Sequence, residues 1–156
     1  MRVSILAVGR DRTGPARELF EDYRRRSPWP IDLVEVVAPG RLPAPRRRAE
    51  EAARLLGALP PGAVPIALDE RGHQLDSQTF ARRLGGWRDR GERELAFLIG
   101  GPDGLEPLVL ERARAVYALG RMTWPHRLVR VLLAEQLYRA QAILAGHPYH
   151  RGSPLD

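Results

Sequence analysis

Short apolar runs alternate along the chain with longer amphipathic segments. The apolar runs have the length of buried strands and predict five of them, at 3–8, 31–37, 64–68, 94–99 and 116–119. The segments between them carry apolar residues at helical spacing and predict five helices, at 15–26, 46–59, 77–90, 106–115 and 125–145. Strands that alternate with helices are typical of an α/β fold, a parallel sheet covered on both faces.

Local signals set the ends of several of these elements. Ser77 is expected to cap the third helix, and Pro125 suits the first turn of the last one. The sequence Asp-Glu-Arg-Gly at 69–72 predicts a turn directly after the third strand. No repeat, low-complexity stretch or linker interrupts the pattern, so we expect a single domain over residues 1–156.

The last helix has apolar residues on more than one face. These residues are Leu128, Val129, Val131, Leu132, Leu133, Leu137, Tyr138, Ala140, Ile143 and Leu144. A surface helix of a monomer shows one apolar stripe, so this helix is either buried within the domain or packed on another subunit. Arg130 and Glu135 lie within this apolar sequence. They either form buried polar contacts across a dimer or occupy the solvated side of the helix.

The composition is that of an ordinary soluble protein and excludes several kinds of chemistry. Charged residues make up 28% of the 156 residues and hydrophobic residues 44%. The apolar N-terminal run is interrupted early by charged residues, which favours a strand over a signal peptide and a cytoplasmic location. The chain has no cysteine, which excludes disulfides and thiolate nucleophiles. It also has no lysine, which excludes a Schiff base and a P-loop lysine.

The charge balance favours an acidic partner. The net charge is +6 and all 25 basic residues are arginines, which bind phosphate bidentately and stack on bases. A basic surface of this kind favours nucleic acid. Two arginine runs, at 24–26 and 46–48, lie on or beside predicted helices. Each is either a solvated helix surface or part of a nucleic-acid-facing patch.

Two glycines follow the fourth predicted strand. Gly100 and Gly101 lie at its carboxyl end, where open α/β sheets bind their ligands. Glycines there let the backbone approach a ligand closely, although a tight turn without a ligand needs them equally. The chain contains neither G-x-G-x-x-G after the first strand nor G-x-x-x-x-G-K-[ST], so dinucleotide and P-loop sites lose support.

The histidines and the tail supply the candidate acid–base groups. His73 lies in the predicted turn and is expected at the surface. His126 opens the last helix beside segment 119–124 and either shapes a pocket or takes part in catalysis. The tail 147–151, His-Pro-Tyr-His-Arg, is either a frayed terminus or a cluster that handles a proton near neutral pH. Its two histidines lack further clustered ligands, so no metal is expected.

Several motifs together, in their order and spacing, resemble one family. They are Ile99-Gly100-Gly101 with Gly104-Leu105, Thr123 with Pro125-His126, Leu128-Val129-Arg130, the run from Glu135 to Ala140, and the tail 147–151. Over nearly its whole length the chain resembles the ribosomal large subunit pseudouridine methyltransferase H family, minimal members of the SPOUT methyltransferases. The resemblance implies a single SPOUT (α/β-knot) domain with a C-terminal trefoil knot, and a homodimer.

The resemblance also implies a cofactor and a reaction. The cofactor is S-adenosylmethionine, and the acceptor is N3 of a pseudouridine in 23S rRNA of the assembled ribosome. The family's cofactor contacts fall on residues at three strand ends: Leu68, Gly100, Leu119, Gly120, Arg121, Met122, Thr123 and Trp124. The resemblance also hints that Arg130 faces the pocket or the substrate. No membrane partner is implied.

The resemblance places the tail at the active site. Tyr149, His150 and Arg151 are therefore the candidate catalytic residues, to stack on a base, accept a proton, and hold phosphate or an anion. The chain continues past the family's tail with residues 152–156, which must point away from the acceptor base. A non-catalytic ribosome-binding or assembly factor with a basic surface is the alternative function.

Overall fold

The computed structural model describes residues 1–151 as alternating strands and helices. In chain order these are β1 (Arg2–Val8), α1 (Pro15–Arg26), β2 (Ile31–Val36), α2 (Ala44–Gly57), β3 (Val64–Gln74), α3 (Ser77–Asp89), β4 (Glu94–Ile99), α4 (Pro107–Arg112), β5 (Ala115–Ala118) and α5 (His126–Leu144). The strands form one sheet in the order β2-β1-β4-β3-β5.

Every strand pair in this sheet is parallel, and helices cover both of its faces. Helices α1, α3 and α5 pack on one face, where Phe20, Phe97 and Leu137 are buried together. Helices α2 and α4 pack on the other face around Leu6 and Leu98. The predicted parallel α/β fold is therefore confirmed, while the trefoil knot stays a prediction. Residues 152–156, expected to point away from the acceptor, lie outside the described residues.

The predicted turn at 69–72 is wrong, because β3 continues through this segment to Gln74. After an irregularity beyond Leu68, the strand resumes pairing with β5, with His73 opposite Tyr117. A Cβ atom at Gly72 would lie 2.7 Å from the backbone of Tyr117. Glycine is therefore needed here for the close approach of two strands, which a single segment of sequence does not reveal. His73 is exposed, as predicted.

The cap of α3 differs by one residue from the prediction. Asp76, not Ser77, is the N-cap, and its carboxylate accepts a hydrogen bond from the Thr79 backbone N–H at 2.6 Å. The Ser77 hydroxyl instead donates to the side chain of Gln136 on α5 at 2.8 Å. Both residue types cap helices well, so the tertiary contact to α5 distinguishes their roles.

Helix α5 packs between α1 and α3 on the sheet, which explains most of its apolar sequence. Val131, Leu133 and Leu137 are buried within the chain. Leu128 nevertheless remains 42% exposed, and Trp124, four residues earlier, is 43% exposed. Burial within the domain therefore accounts for the middle of the helix and leaves an apolar surface at its beginning. Within residues 1–151, no helix combines the length and apolar character needed to cross a membrane.

Candidate active site

A cavity of about 780 Å³ opens at the carboxyl edge of β3, β4 and β5. Leu68 and Ile99 are neighbours in the sheet register, and Leu119 follows the end of β5. Parallel strands place their carboxyl ends at one edge, so three distant segments of sequence meet there. The cavity is lined by predicted cofactor residues from all three segments: Leu68, Gly100, Leu119, Gly120, Met122, Thr123 and Trp124. Arg121 is exposed and does not line it.

The glycine loop after β4 is built by contacts within the chain. A Cβ atom at Gly100 would lie 2.9 Å from the backbone of Gly104, and one at Gly101 would lie 2.9 Å from a methyl group of Val8. Gly104 has a φ of 78°, and its N–H donates to the Gly101 carbonyl at 3.0 Å. The glycines therefore make a tight turn and at the same time expose backbone to the cavity.

Segment 119–124 forms a wall between this cavity and a second one of about 510 Å³. The Trp124 indole N–H donates to the Leu119 carbonyl at 3.1 Å, which closes the segment on itself. Gly120 has a φ of 107°, a backbone conformation that favours glycine. Met122 is 78% exposed at the tip of this segment. The segment thus presents both backbone groups and apolar side chains beside the cavity.

Arg71, in the second half of β3, forms an ion pair within the strand and a hydrogen bond to the residue that follows the glycine loop. Arg71 contacts Asp69 through two hydrogen bonds of 2.7 and 2.8 Å, and it also donates to the Leu105 carbonyl at 3.3 Å. The hydrogen bonds from Arg71 lower the pKa of Asp69. The sequence did not predict these contacts of Arg71, because a charged segment that follows an apolar run is typical of a turn.

A buried clamp holds the start of α5 against the sheet. The Arg130 guanidinium is 2% exposed and donates to the carbonyls of Val8 and Gly9 and, at 2.7 Å, to Glu35. Burial acts to raise the pKa of Glu35, but the hydrogen bonds from Arg130 and the Asp11 N–H outweigh it and lower the pKa. Arg130 was expected to face the pocket or the substrate; it does not line this cavity, because its donors are turned toward β1 and β2.

His126 lies in the cavity wall at the first turn of α5. It rests on the end of β1, since a Cβ atom at Gly9 would lie 3.7 Å from its Nε2. Burial lowers the pKa of His126, and the nearby Arg130 and Arg127 lower it further. Burial and both arginines therefore favour the neutral form of the imidazole. Its position gives it a role in shaping the cavity.

The predicted catalytic tail does not line the cavity of its own chain. Tyr149 packs edge-on against Tyr138, with ring centroids 4.7 Å apart, and its hydroxyl donates to Glu135 at 3.2 Å. Burial is the main factor that raises the pKa of Tyr149. His150 Nδ1 lies 3.2 Å from Arg139 Nη1, and Arg151 is exposed. The tail is therefore ordered by contacts with the second half of α5.

The arginine runs are partly neutralised by neighbouring carboxylates. Arg24 pairs with Glu21 at 3.1 Å, Arg47 with Asp103 at 2.7 Å and Arg48 with Glu106 at 2.7 Å. The last two pairs tie α2 to the segment after β4. These arginines therefore serve the fold as well as the surface charge. Within residues 1–151, no three histidine, aspartate or glutamate side chains group closely enough to hold a metal ion.

Comparison with known proteins gives matches over nearly the full chain. A family model described as "Predicted SPOUT methyltransferase" matches residues 1–150. The ribosomal RNA large subunit methyltransferase H of Rhodospirillum centenum is 58% identical over 151 residues, covering 97% of this chain and 99% of the relative. The protein of the same name from Paramagnetospirillum magneticum is 54% identical over 152 residues, with the same coverage of 97% and 99%.

Two solved structures share the fold at low identity. A probable methylase family protein from Haemophilus influenzae has a TM-score of 0.58 at 10% identity, covering 97% of this chain and 71% of its own. TrmJ from Z. mobilis has a TM-score of 0.53 at 15% identity, covering 99% and 72%. The family match and the identities above one half show that this chain belongs to the SPOUT methyltransferases, and among them to the ribosomal RNA large subunit methyltransferase H family.

Proposed function

We propose that the protein methylates N3 of a pseudouridine in 23S ribosomal RNA of the assembled ribosome, with S-adenosylmethionine as methyl donor. The observation that carries the proposal is the cavity in which Leu68, the glycine loop and segment 119–124 meet. Membership of a methyltransferase family supports a methyl donor in general, and the relatives' name supports a ribosomal RNA acceptor.

The cavity suits a nucleoside-based donor in size and chemistry. Its volume of about 780 Å³ lies within the range of small-molecule sites. Leu68 and Leu119 offer apolar contact to an adenine ring, while backbone groups of segment 119–124 are available for its polar edge. Gly100 leaves the floor of the cavity free of a side chain. The residues present therefore fit the proposed cofactor.

The reaction requires N3 of the acceptor to lose its proton. When bound, the donor supplies a methyl group on a positively charged sulfur, which is a good leaving group. The protein then has to align the reactants and receive one proton. We assign this work to the tail. The His150 imidazole accepts the proton, Arg151 pairs with phosphate or with the uridinate anion, and Tyr149 stacks on a base.

The position of the tail supports a homodimer in which each tail serves the partner's cavity. Val129 lines the cavity, whereas the tail contacts Glu135 and Arg139, about 9–15 Å farther along the helix at 1.5 Å per residue. An exposed apolar surface lies beside the cavity, formed by Met122, Trp124 and Leu128. Such surfaces mark protein contacts, and burying this one on a second copy would bring two sites close together.

Recognition of the ribosome rests on the basic surface of the dimer. Each chain carries a net charge of +6, so a dimer approaches RNA with twice that charge. Exposed arginines such as Arg25, Arg46 and Arg121 are placed to contact phosphates. Selection of one nucleotide then depends on the few polar groups beside the cavity and on the shape of the ribosome around the target.

Methyl transfer is the direct test. Radiolabelled S-adenosylmethionine is offered to whole ribosomes and to free 23S rRNA, both from a strain that lacks the modification. Label on ribosomes alone, at N3 of one pseudouridine, supports the proposal. Absence of label on both substrates, together with no cofactor binding, would favour the non-catalytic ribosome-binding or assembly factor.

Mixing two impaired variants tests the shared site. Gly100→Ala alters the cavity, and the double variant His150→Ala/Arg151→Ala alters the tail. Heterodimers formed from both variants contain one intact cavity and one intact tail that can meet. Activity in the mixture well above that of either variant alone, measured at a donor concentration that does not saturate Gly100→Ala, supports tail exchange between protomers. A mixture that contains heterodimers but shows no such gain would contradict it.

A further inference from the structure

A buried carboxyl group lies directly behind the glycine loop. Glu51 on α2 is 5% exposed, and its Oε2 has no hydrogen-bond partner among the residues that the structure describes. Both of its carboxylate oxygens lie 3.5 Å from the position that a Cβ atom would take at Gly101. Gly101 itself lines the cavity. The carboxyl group is therefore separated from the cavity by one residue.

Three other carboxylates around the cavity are balanced by arginines, whereas Glu70, which also lines the cavity, is exposed to solvent, where its charge is screened. The pairs are Asp69 with Arg71, Asp103 with Arg47, and Glu106 with Arg48, each with a closest distance of 2.7 Å. Glu51 has no such ion pair within residues 1–151, although Arg47 is close enough to act on it through space. Its neighbour on β1 is the apolar Val8, which packs on the same glycine.

An unpaired buried carboxyl group destabilises a folded protein. Burial raises the pKa of Glu51, and the charge of Asp103 raises it further, while Arg47 acts in the opposite direction. A positive charge placed in the cavity would stabilise the ionised form. The proposed donor brings such a charge on its sulfur, and the demethylated product does not.

We infer that Glu51 is a specificity-determining residue, which favours the positively charged donor S-adenosylmethionine over its neutral-sulfur product S-adenosylhomocysteine. The inference rests on the proposed function, because it takes the cavity as the donor site. Glu51 acts through the field of its carboxylate across Gly101 and makes no contact with the ligand. A lower affinity for the product than for the donor lets the product dissociate readily after each reaction, which helps turnover.

Coulomb's law sets the scale of the effect. At an effective dielectric constant of about 20, unit charges within about 12 Å attract enough to change a dissociation constant about tenfold. Because the carboxylate lies 3.5 Å from the Cβ position of Gly101, a sulfur bound beside that glycine would fall within this limit. We therefore expect removal of the charge to weaken donor binding about tenfold and product binding less than about twofold.

Calorimetric titration with each ligand separately tests the inference. The parent protein, Glu51→Gln and Glu51→Asp are compared at the same pH and salt. Glu51→Gln should lose the preference for S-adenosylmethionine, and Glu51→Asp, which keeps the charge, should retain most of it. The exposed neighbour Glu50 lies on the same helix, and Glu50→Gln serves as the matched control with both affinities unchanged.

The ratio of the two affinities separates electrostatic discrimination from a purely structural role. A damaged glycine loop would weaken both ligands equally, and that result would overturn the inference while leaving the proposed function intact. Unchanged donor binding in Glu51→Gln would overturn it as well. If the parent protein bound neither ligand, the proposed function and the inference would both fall.

Discussion

Replacing Arg130 by methionine removes the centre of the clamp between α5 and the sheet. The guanidinium holds Glu35 at 2.7 Å and the two carbonyls at the end of β1 at 2.8 and 3.0 Å. The side chains of Arg130 and Glu35 are 3% and 17% exposed, so the carboxylate left behind is poorly solvated. Breaking one partner of a buried pair costs about 3–5 kcal/mol.

The expected loss lies at the lower end of that range, about 3 kcal/mol, because Glu35 keeps some contact with water. With a urea m value of about 2 kcal/mol/M, the unfolding midpoint should fall by about 1.5 M. Protein concentration must be held constant, because the proposed dimer would make apparent stability depend on concentration. The matched control is Arg127→Met, whose side chain is 59% exposed and 4.0 Å from Asp11. It should change stability by less than about 0.5 kcal/mol.

The pH dependence gives a second readout of the same clamp. The folded-state pKa of Glu35 is lowered, so its contribution to stability is present at neutral pH and is lost as pH falls through that pKa. Arg130→Met should weaken this dependence. The double variant Arg130→Met/Glu35→Gln should be more stable than the sum of the single losses predicts, since no unpaired carboxylate remains. A loss below about 1 kcal/mol in Arg130→Met, or strict additivity, would refute the reasoning.

Three further predictions concern the loop, a helix cap and the tail. Gly100→Ala should cost about 1–3 kcal/mol on urea unfolding and weaken cofactor binding at least about tenfold by calorimetry, because the new methyl group meets loop backbone at 2.9 Å. Gly57→Ala, where a Cβ meets nothing within 4 Å, is its control. Asp76→Ala should lower thermal stability by about 1 kcal/mol through loss of the α3 cap. The double variant His150→Ala/Arg151→Ala should reduce methyl transfer at least about 100-fold while cofactor affinity stays nearly unchanged.

Each of these predictions has an outcome that contradicts it. Normal cofactor binding by Gly100→Ala would show that the loop adapts without affecting the cavity. An unchanged melting temperature for Asp76→Ala would mean that Ser77 takes over as the cap. Loss of cofactor binding in the tail variant would remove the assignment of the tail to the substrate side.

The order of strands and helices followed from local patterns. Each strand contains a short run of apolar residues and each helix is an amphipathic segment, and these patterns depend only on neighbours in sequence. The boundaries of β4 at Glu94–Ile99 and of α1 at Pro15–Arg26 agree with the prediction for this reason. Glycines beyond Ile99 also pointed to a loop at the carboxyl edge of the sheet.

The tertiary structure decided the features that depend on pairs of distant residues. Gly72 is required by contact with Tyr117 on β5, and Asp76 is distinguished from Ser77 by the contact of Ser77 with α5. Neither contact leaves a periodic signal in the sequence. The same holds for the clamp of Arg130 on Glu35, whose residues are far apart in the chain.

The site shows the same division between local and distant information. Sequence resemblance named the three segments that contribute to the cavity, because motif residues keep their order along the chain. Only the folded sheet showed that Leu68, Gly100 and Leu119 share one cavity, that Arg121 lies outside it and that the tail rests on α5. It also showed the carboxyl group of Glu51 behind the glycine loop. Burial and distances between residues arise from packing in three dimensions. A sequence pattern therefore predicts them only where it matches a known family motif.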